Sequence, residues 1–181
     1  MISRNQPRKA MSEFVLRRPL PGVDEYNKSL RQLGNDDEKA FHMNASAAEK
    51  GDHDAILAMG WFYLNGIGVK VNLEAATHWY RKAARRGDPL AFSSLGQIAL
   101  IQRDYSEALL WLNRAANRGH ARSKYFLGKL YWRGNGVKQD LKAARRFFSE
   151  AASNNVKEAQ RVERFLNSLG RQKATHRVSE I

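Results

Sequence analysis

A unit of roughly thirty-odd residues recurs along this chain, and a repeat that short cannot bury its apolar face alone, so it must stack on copies of itself. The segment from Ala55 reads AILAMGWFYLNGIGVKVNLEAATHWYRKAARRGD, and that from Ser123 reads SKYFLGKLYWRGNGVKQDLKAARRFFSEAASNN. In register, Gly60 falls on Gly128, Tyr63 on Tyr131, Gly66 and Gly68 on Gly134 and Gly136, and Ala83-Ala84 on Ala151-Ala152. Between them, AFSSLGQIALIQRDYSEALLWLNRAANRGH from Ala91 keeps Leu95-Gly96 and Ala115-Ala116 but lacks the glycine loop. The step from Ala55 to Ala91 is 36 residues, and that from Ala91 to Ser123 is 32. Upstream, KAFHMNASAAEKGD from Lys39 matches the second half of a unit.

Each unit reads as two helices. Ala55, Met59 and Tyr63 fall four apart on one helical face, and Gly60 beside them permits a neighbouring helix to come close. Asn65 to Val69 ends that helix, its two glycines supplying positive-φ backbone for a tight reversal. A second helix follows from about Asn72, with Ala75, Trp79, Ala83 and Ala84 expected on the buried side and Gly87 closing it. Asp88-Pro89 restarts the pattern as N-cap and first helical residue. Ala159, Val162, Phe165, Leu166 and Leu169 form an apolar stripe that reads as a closing helix, and Asp24 to Leu33 reads as a short opening one.

These residues resemble the Sel-1-like repeat family, relatives of the tetratricopeptide repeats, whose units run roughly as A-x-x-x-L-G-x-x-Y-x-x-G-x-G-V, then K-A, W-Y and K-A-A-x-x-G. The likeness is close over 55–87 and 123–155, shortened over 91–119, and half a unit over 38–51. Phe147-Phe148 stands for Trp-Tyr and Asn155 for the terminal Gly, changes that keep size and helical geometry. The resemblance implies an all-α fold, a right-handed α/α superhelix of about three and a half helix-pair repeats, and work as an adaptor that assembles protein complexes. The expected division is a disordered basic segment over 1–21, the solenoid with its capping helices over 22–170, and a basic tail over 171–181.

Charge and composition narrow the function. Without Cys there is no disulfide or thiol chemistry, and the His residues at 42, 53, 78, 120 and 176 lack the spacing of a metal-ligand pair. The short apolar run Phe14-Val15-Leu16 is too brief for a signal-peptide core or a membrane span, so a soluble, cytoplasmic protein is expected. Of a net charge of +13, most of the excess lies in residues 120–181, with 14 basic and 5 acidic side chains. Such an end attracts acidic proteins and nucleic acid alike.

Candidate sites follow from register. The glycine loops, each followed by Lys70 or Lys138, lack the spacing of a dinucleotide fingerprint or a P-loop, and their recurrence in step with the helices marks them as scaffold. In Gly51-Asp52-His53-Asp54, Asp52 aligns with the capping Asp88 and leaves one His and one Asp, too few for a metal or acid-base site. No nucleophile, base and orienting acid recur at a defined spacing, so the chain reads as a non-enzyme without cofactor or metal. By analogy with tetratricopeptide stacks, the first helix of each pair lines a concave groove. Its outward positions are Leu57, Trp61, Leu64 and Asn65 in one unit, Gln97 in the next, and Tyr125, Lys129, Trp132 and Arg133 in the third. Aromatic rings beside Lys and Arg suit a partner segment with apolar and acidic residues; Trp61 and Trp132 either reach into the groove or pack between units, and the groove assignment predicts the first. The alternative is nucleic-acid binding through Arg145, Arg146, Arg161, Arg164, Arg171, Lys173 and Arg177.

Overall fold

The computed structural model describes residues 37–178, with side chains as far as 168; the expected opening helix at 24–33 and the segment 1–21 lie outside the described residues. All the described elements are α-helices: α1 (Asp37–Glu49), α2 (His53–Asn65), α3 (Leu73–Ala84), α4 (Pro89–Gln102), α5 (Tyr105–Asn117), α6 (Ala121–Arg133), α7 (Leu141–Ser153) and α8 (Lys157–Val178). Each packs chiefly on its neighbours in sequence, as a one-dimensional stack requires. The pairs α2/α3, α4/α5 and α6/α7 are the three units, α1 is the second helix of a preceding unit, and α8 takes the place of a following first helix. This is an all-α repeat superhelix. α8 stays helical to Val178, past the boundary at 170.

Capping sets each helix start. Asp52, Asn72, Asp88, Asp104 and Asp140 each accept the backbone N–H three residues on, at 2.7 to 2.9 Å, which satisfies a donor that the helix itself cannot. Pro89 occupies the first turn of α4. The connection between α5 and α6 departs from this set, because His120 stands where Asp52 and Asp88 stand elsewhere. Its Nδ1 accepts from the Ser123 N–H at 3.3 Å and pairs with Ser123 Oγ at 3.0 Å. Burial first, and then the charge of Arg122, hold this imidazole down to about 4, with Asp88 pulling the other way. A group depressed from 6.5 contributes stability that is complete above that value and is lost as pH falls toward 4. Thermal melts should therefore show His120→Asp losing less stability than the wild type between about pH 6.5 and 4. Parallel pH dependence in the two proteins would remove His120 from the acid response.

The core is built where a first helix meets its own second helix. A Cβ placed on Gly60 would lie 2.8 Å from the Tyr80 ring, on Gly96 2.7 Å from Leu112 Cγ, and on Gly128 2.8 Å from the Phe148 ring. Each glycine thus seats one large side chain of the following helix. The buried side of α3 is accordingly Ala76, Tyr80 and Ala83, while Ala75, Trp79 and Ala84 are half-buried. The face is turned by one residue from the sequence expectation because Tyr80, not Trp79, fills the Gly60 notch. In the closing helix Ala159 is fully buried and Phe165 is 59 % exposed. The position that matches Gly60, Gly96 and Gly128 is there occupied by Arg164.

Polar contacts tie one unit to the next at the same edge. Arg86 donates to the Gly51 carbonyl and Arg118 to the Gly87 carbonyl, both at 2.9 Å. His53 Nε2 lies 2.8 Å from Asp88 Oδ2.

The long loops lie across the units. The second glycine of each sits against the first turn of the preceding second helix: a Cβ on Gly68 would meet the Asp37 carbonyl, and one on Gly136 would lie 2.6 Å from Tyr105 Cβ. Between α4 and α5 only Arg103 and Asp104 remain, Arg103 taking the left-handed conformation (φ 62°) that Gly66 and Gly134 take elsewhere.

Candidate functional site

The outward positions of the first helices line up by period into one stripe across the units: Leu57, Ser93 and Tyr125; Trp61, Gln97 and Lys129; Leu64, Leu100 and Trp132. Read along the stack, the stripe passes from apolar, through small and neutral, to aromatic and cationic. Its character at the α2 end is not that of an open face. Leu57, Trp61 and Leu64 are buried in the same apolar cluster as Ile56, Leu95 and Ile98, with Trp61 only 4 % exposed. Asn65 donates to the Trp61 carbonyl at 2.9 Å. Gln97 and Ser93 are buried too, the Gln97 amide lying 3.4 Å from both Ser93 oxygens. Placing Leu57, Trp61, Leu64 and Gln97 at a partner-facing surface is therefore corrected. The physical reason is that α2 and α4 are apolar or small nearly all round, and a helix of that kind is covered on every side.

The α6 end is different. Trp132 is 38 % exposed, Arg133 is exposed, and Tyr125 and Lys129 are half-buried. Their spacing puts Arg122, Tyr125, Lys129, Trp132 and Arg133 along one side of the helix. Lys129 Nζ stands 5.4 Å from the centre of the Tyr125 ring and 5.6 Å from that of Phe126, two cation–π contacts. Arg122 reaches Glu158 of α8 at 3.6 Å, both side chains largely covered. Burial, and then the charges of Arg133 and Arg122, bring the Lys129 ammonium down to about 8 from an ordinary 10.5, with Glu158 opposing. Burial and Glu158 push the Tyr125 phenol upward, while Arg122 and Arg133 act against the rise. Three cations thus lie along one side of α6, one of them over two aromatic rings, with the Glu158 carboxylate beside Arg122. Glu158, absent from the sequence-based set, sits one 36-residue period after Arg122, and that spacing was the available clue.

Other candidates resolve as structure. Asp52 caps α2, and His53 bonds across the unit junction to Asp88. Among the described residues no cluster of His, Asp and Glu is arranged to hold a metal ion. Arg145 donates to Asn167 at 2.9 Å, Arg146 lies 3.7 Å from Glu150 and over the Phe147 ring, and Arg164 donates to the Gln160 carbonyl. The side chains of Arg171, Lys173 and Arg177 lie outside the described residues. No helix among the described residues is long and apolar enough to cross a membrane.

Comparison with known proteins agrees with this architecture. The chain is 31 % identical over 145 residues to the ERAD-associated E3 ubiquitin-protein ligase component HRD3B of Arabidopsis thaliana, and the match covers 80 % of this chain and 23 % of that protein. It is 29 % identical over 158 residues to the chitin synthase regulator SKT5 of Saccharomyces cerevisiae, covering 82 % of this chain and 22 % of the relative. The chain therefore spans less than a quarter of the length of either. Among solved structures, a Sel1 repeat protein from Oxalobacter formigenes superposes with a TM-score of 0.68 at 31 % identity, over 75 % of this chain and 57 % of that one. A protective antigen of uropathogenic Escherichia coli strains, with an SLR fold, gives 0.65 at 27 % identity, over 75 % of this chain and 30 % of that one. Sel1 repeats are matched over residues 24–52, 53–88, 92–120 and 121–156, the last three coinciding with the helix pairs α2/α3, α4/α5 and α6/α7, so the chain belongs to the Sel1 repeat family.

Proposed function

We propose that the chain is a protein-interaction adaptor whose α6 face, centred on Lys129 and Trp132, receives an acidic segment of a partner protein. The observation that carries the reading is the Lys129 environment. Burial first, and then the charges of Arg133 and Arg122, disfavour this ammonium more than Glu158 supports it, and a partner carboxylate placed beside it over the Tyr125 and Phe126 rings would relieve it. Trp132 and Tyr125 offer flat apolar area of the kind that anchors peptide segments. That two relatives are named as a ligase component and as a regulator of a synthase fits a module that works by holding other proteins. The oligonucleotide alternative draws no support from Arg145 and Arg146, which are engaged within the array.

The test uses a fluorescein-labelled Glu-rich peptide containing one Leu, followed by anisotropy across pH. Binding should weaken as pH rises through about 8, because Lys129 then loses the charge that the peptide recognises. Lys129→Met should weaken binding at neutral pH by roughly tenfold or more and flatten the pH profile, and Trp132→Ala should weaken it to a similar degree. A wild-type profile without a step near 8, or an unaltered affinity in both variants, would reject the face. Competition by an oligonucleotide that persists in both variants would favour the nucleic-acid reading instead.

A further inference from the structure

The missing loop of the middle unit leaves an open notch, and this is separate from the α6 face. In the flanking units the long loop covers the first turns of the preceding second helix, Gly68 against Asp37 of α1 and Gly136 against Tyr105 and Leu109 of α5. The corresponding stretch of α3 has only Arg103 and Asp104 beyond it, four residues fewer by the difference between periods of 36 and 32. From this stretch an open cavity of about 690 Å³ runs between α3, α4 and α5, beginning at Glu74 and Thr77 and following α3 to Arg85. Its floor is apolar, from Leu95, Ile98 and Ala99, and its α3 wall carries Thr77, Arg81 and Arg85.

The sequence follows the opening. The position beneath each loop is Phe41 in α1 and Leu109 in α5, but Thr77 in α3, a polar residue where the cover is gone. Charge at the rim is mainly positive. Arg81, Lys82 and Arg85 line it against Glu74 and Glu107, and Glu107 is already held by Arg81 at 3.1 Å and by the Trp111 Nε1 donor at 3.0 Å. Lys82 is turned to the Ala48 carbonyl, at 3.2 Å. Arg85 is exposed, one helical turn beyond Arg81.

We infer that this notch is a second docking site, which takes a glycine-containing reverse turn of another protein carrying a carboxylate beside the turn. Two features select that occupant. The equivalent places of this chain are covered in cis by glycine-containing turns, Asn65 to Val69 and Gly134 to Val137, so the shape is one that a turn fits. The rim cations select the acid, and they disfavour a second copy of this chain, whose own turns are followed by Lys70 and Lys138. An adaptor with the α6 face and this notch holds two partners on different elements.

The experiment restores the loop. Replacing Gln102, Arg103 and Asp104 by the seven residues of the Gly134 loop, Gly134 to Asp140, restores the four missing residues and closes the notch from within. A fluorescein-labelled cyclic hexapeptide, Gly-Asp-Gly-Val-Glu-Leu, serves as probe with the full chain. Anisotropy should show saturable binding to the wild type, a loss of roughly tenfold or more in the loop-restored variant and in Arg85→Glu, and no change in Trp132→Ala. Arg85 is exposed, so Arg85→Glu remains informative if the loop-restored variant does not fold. Equal binding by Arg85→Glu and wild type, or no binding to the wild type at millimolar probe, overturns the inference. Loss in Trp132→Ala alone would also overturn it, placing the probe on α6 and leaving the adaptor reading intact.

Discussion

Gly136→Ala is expected to remove about 2 to 5 kcal/mol of stability, a large share of what a domain of this size holds in reserve. Two costs add. Gly136 has φ of 72°, a left-handed conformation that costs an L-residue about 1 to 2 kcal/mol. The new Cβ would also stand 2.6 Å from Tyr105 Cβ, part of α5 and unable to swing away like the end of a long side chain, and overpacking of that kind costs about 1 to 3 kcal/mol. Gly119→Ala is the control. Its φ is 83°, yet nothing lies within 4 Å of the added methyl, so only the conformational cost applies. Urea melts of the two variants should differ by the packing cost. Equal losses would show that the loop yields and that its seat on α5 contributes little.

Trp61→Ala should destabilise the array by about 3 to 5 kcal/mol, whereas Trp132→Ala should stay within about 1 kcal/mol of wild type. Trp61 is 4 % exposed and Trp132 38 %, so one truncation opens a cavity and the other trims a surface. A third variant separates the ring from its polar atom. Trp61 Nε1 is buried without an acceptor among the described residues, a penalty that Trp61→Phe removes while retaining most of the apolar area. Trp61→Phe should accordingly lose much less than Trp61→Ala. A melting temperature for Trp61→Ala equal to that of wild type would return Trp61 to the surface.

The contrast between these tryptophans shows what the sequence made legible and what it hid. The repeat was readable because glycine, alanine and capping residues return at fixed steps, and each has one local job: a close approach, a small buried contact or a helix start. The helix pairs, the Asp52 and Asp88 caps and the close approach at Gly60 were therefore accessible from spacing. Burial on the outward face was harder, because it depends on what the next helix presents and not on the residue itself. A clue existed in the company each Trp keeps. Trp61 sits between Leu57 and Leu64 at helical spacing, a second apolar stripe on a helix that already had one, while Trp132 shares its side of α6 with Arg122, Lys129 and Arg133. Trp79 reads as inward from spacing for a related reason: adjacent Trp and Tyr are both large, and only the Gly60 notch in the facing helix decides which is seated. The open wall at Thr77 was not readable from its own residue type either, since it results from a deletion elsewhere in the chain.

Arg164 has a consequence for growth of the structure. A helical array whose end presents the same socket that seats one helix of a pair on the other is open to polymerisation, because each added copy recreates the acceptor for the next and nothing closes the series. In α8 an arginine stands where the three first helices carry the glycine that admits a Tyr80-like or Phe148-like ring, so a helix from another molecule meets a long cationic side chain at the place where paired helices approach most closely. Arg164 thus disfavours end-to-end growth through this face, and Arg164→Gly is the change expected to raise the self-association of the chain.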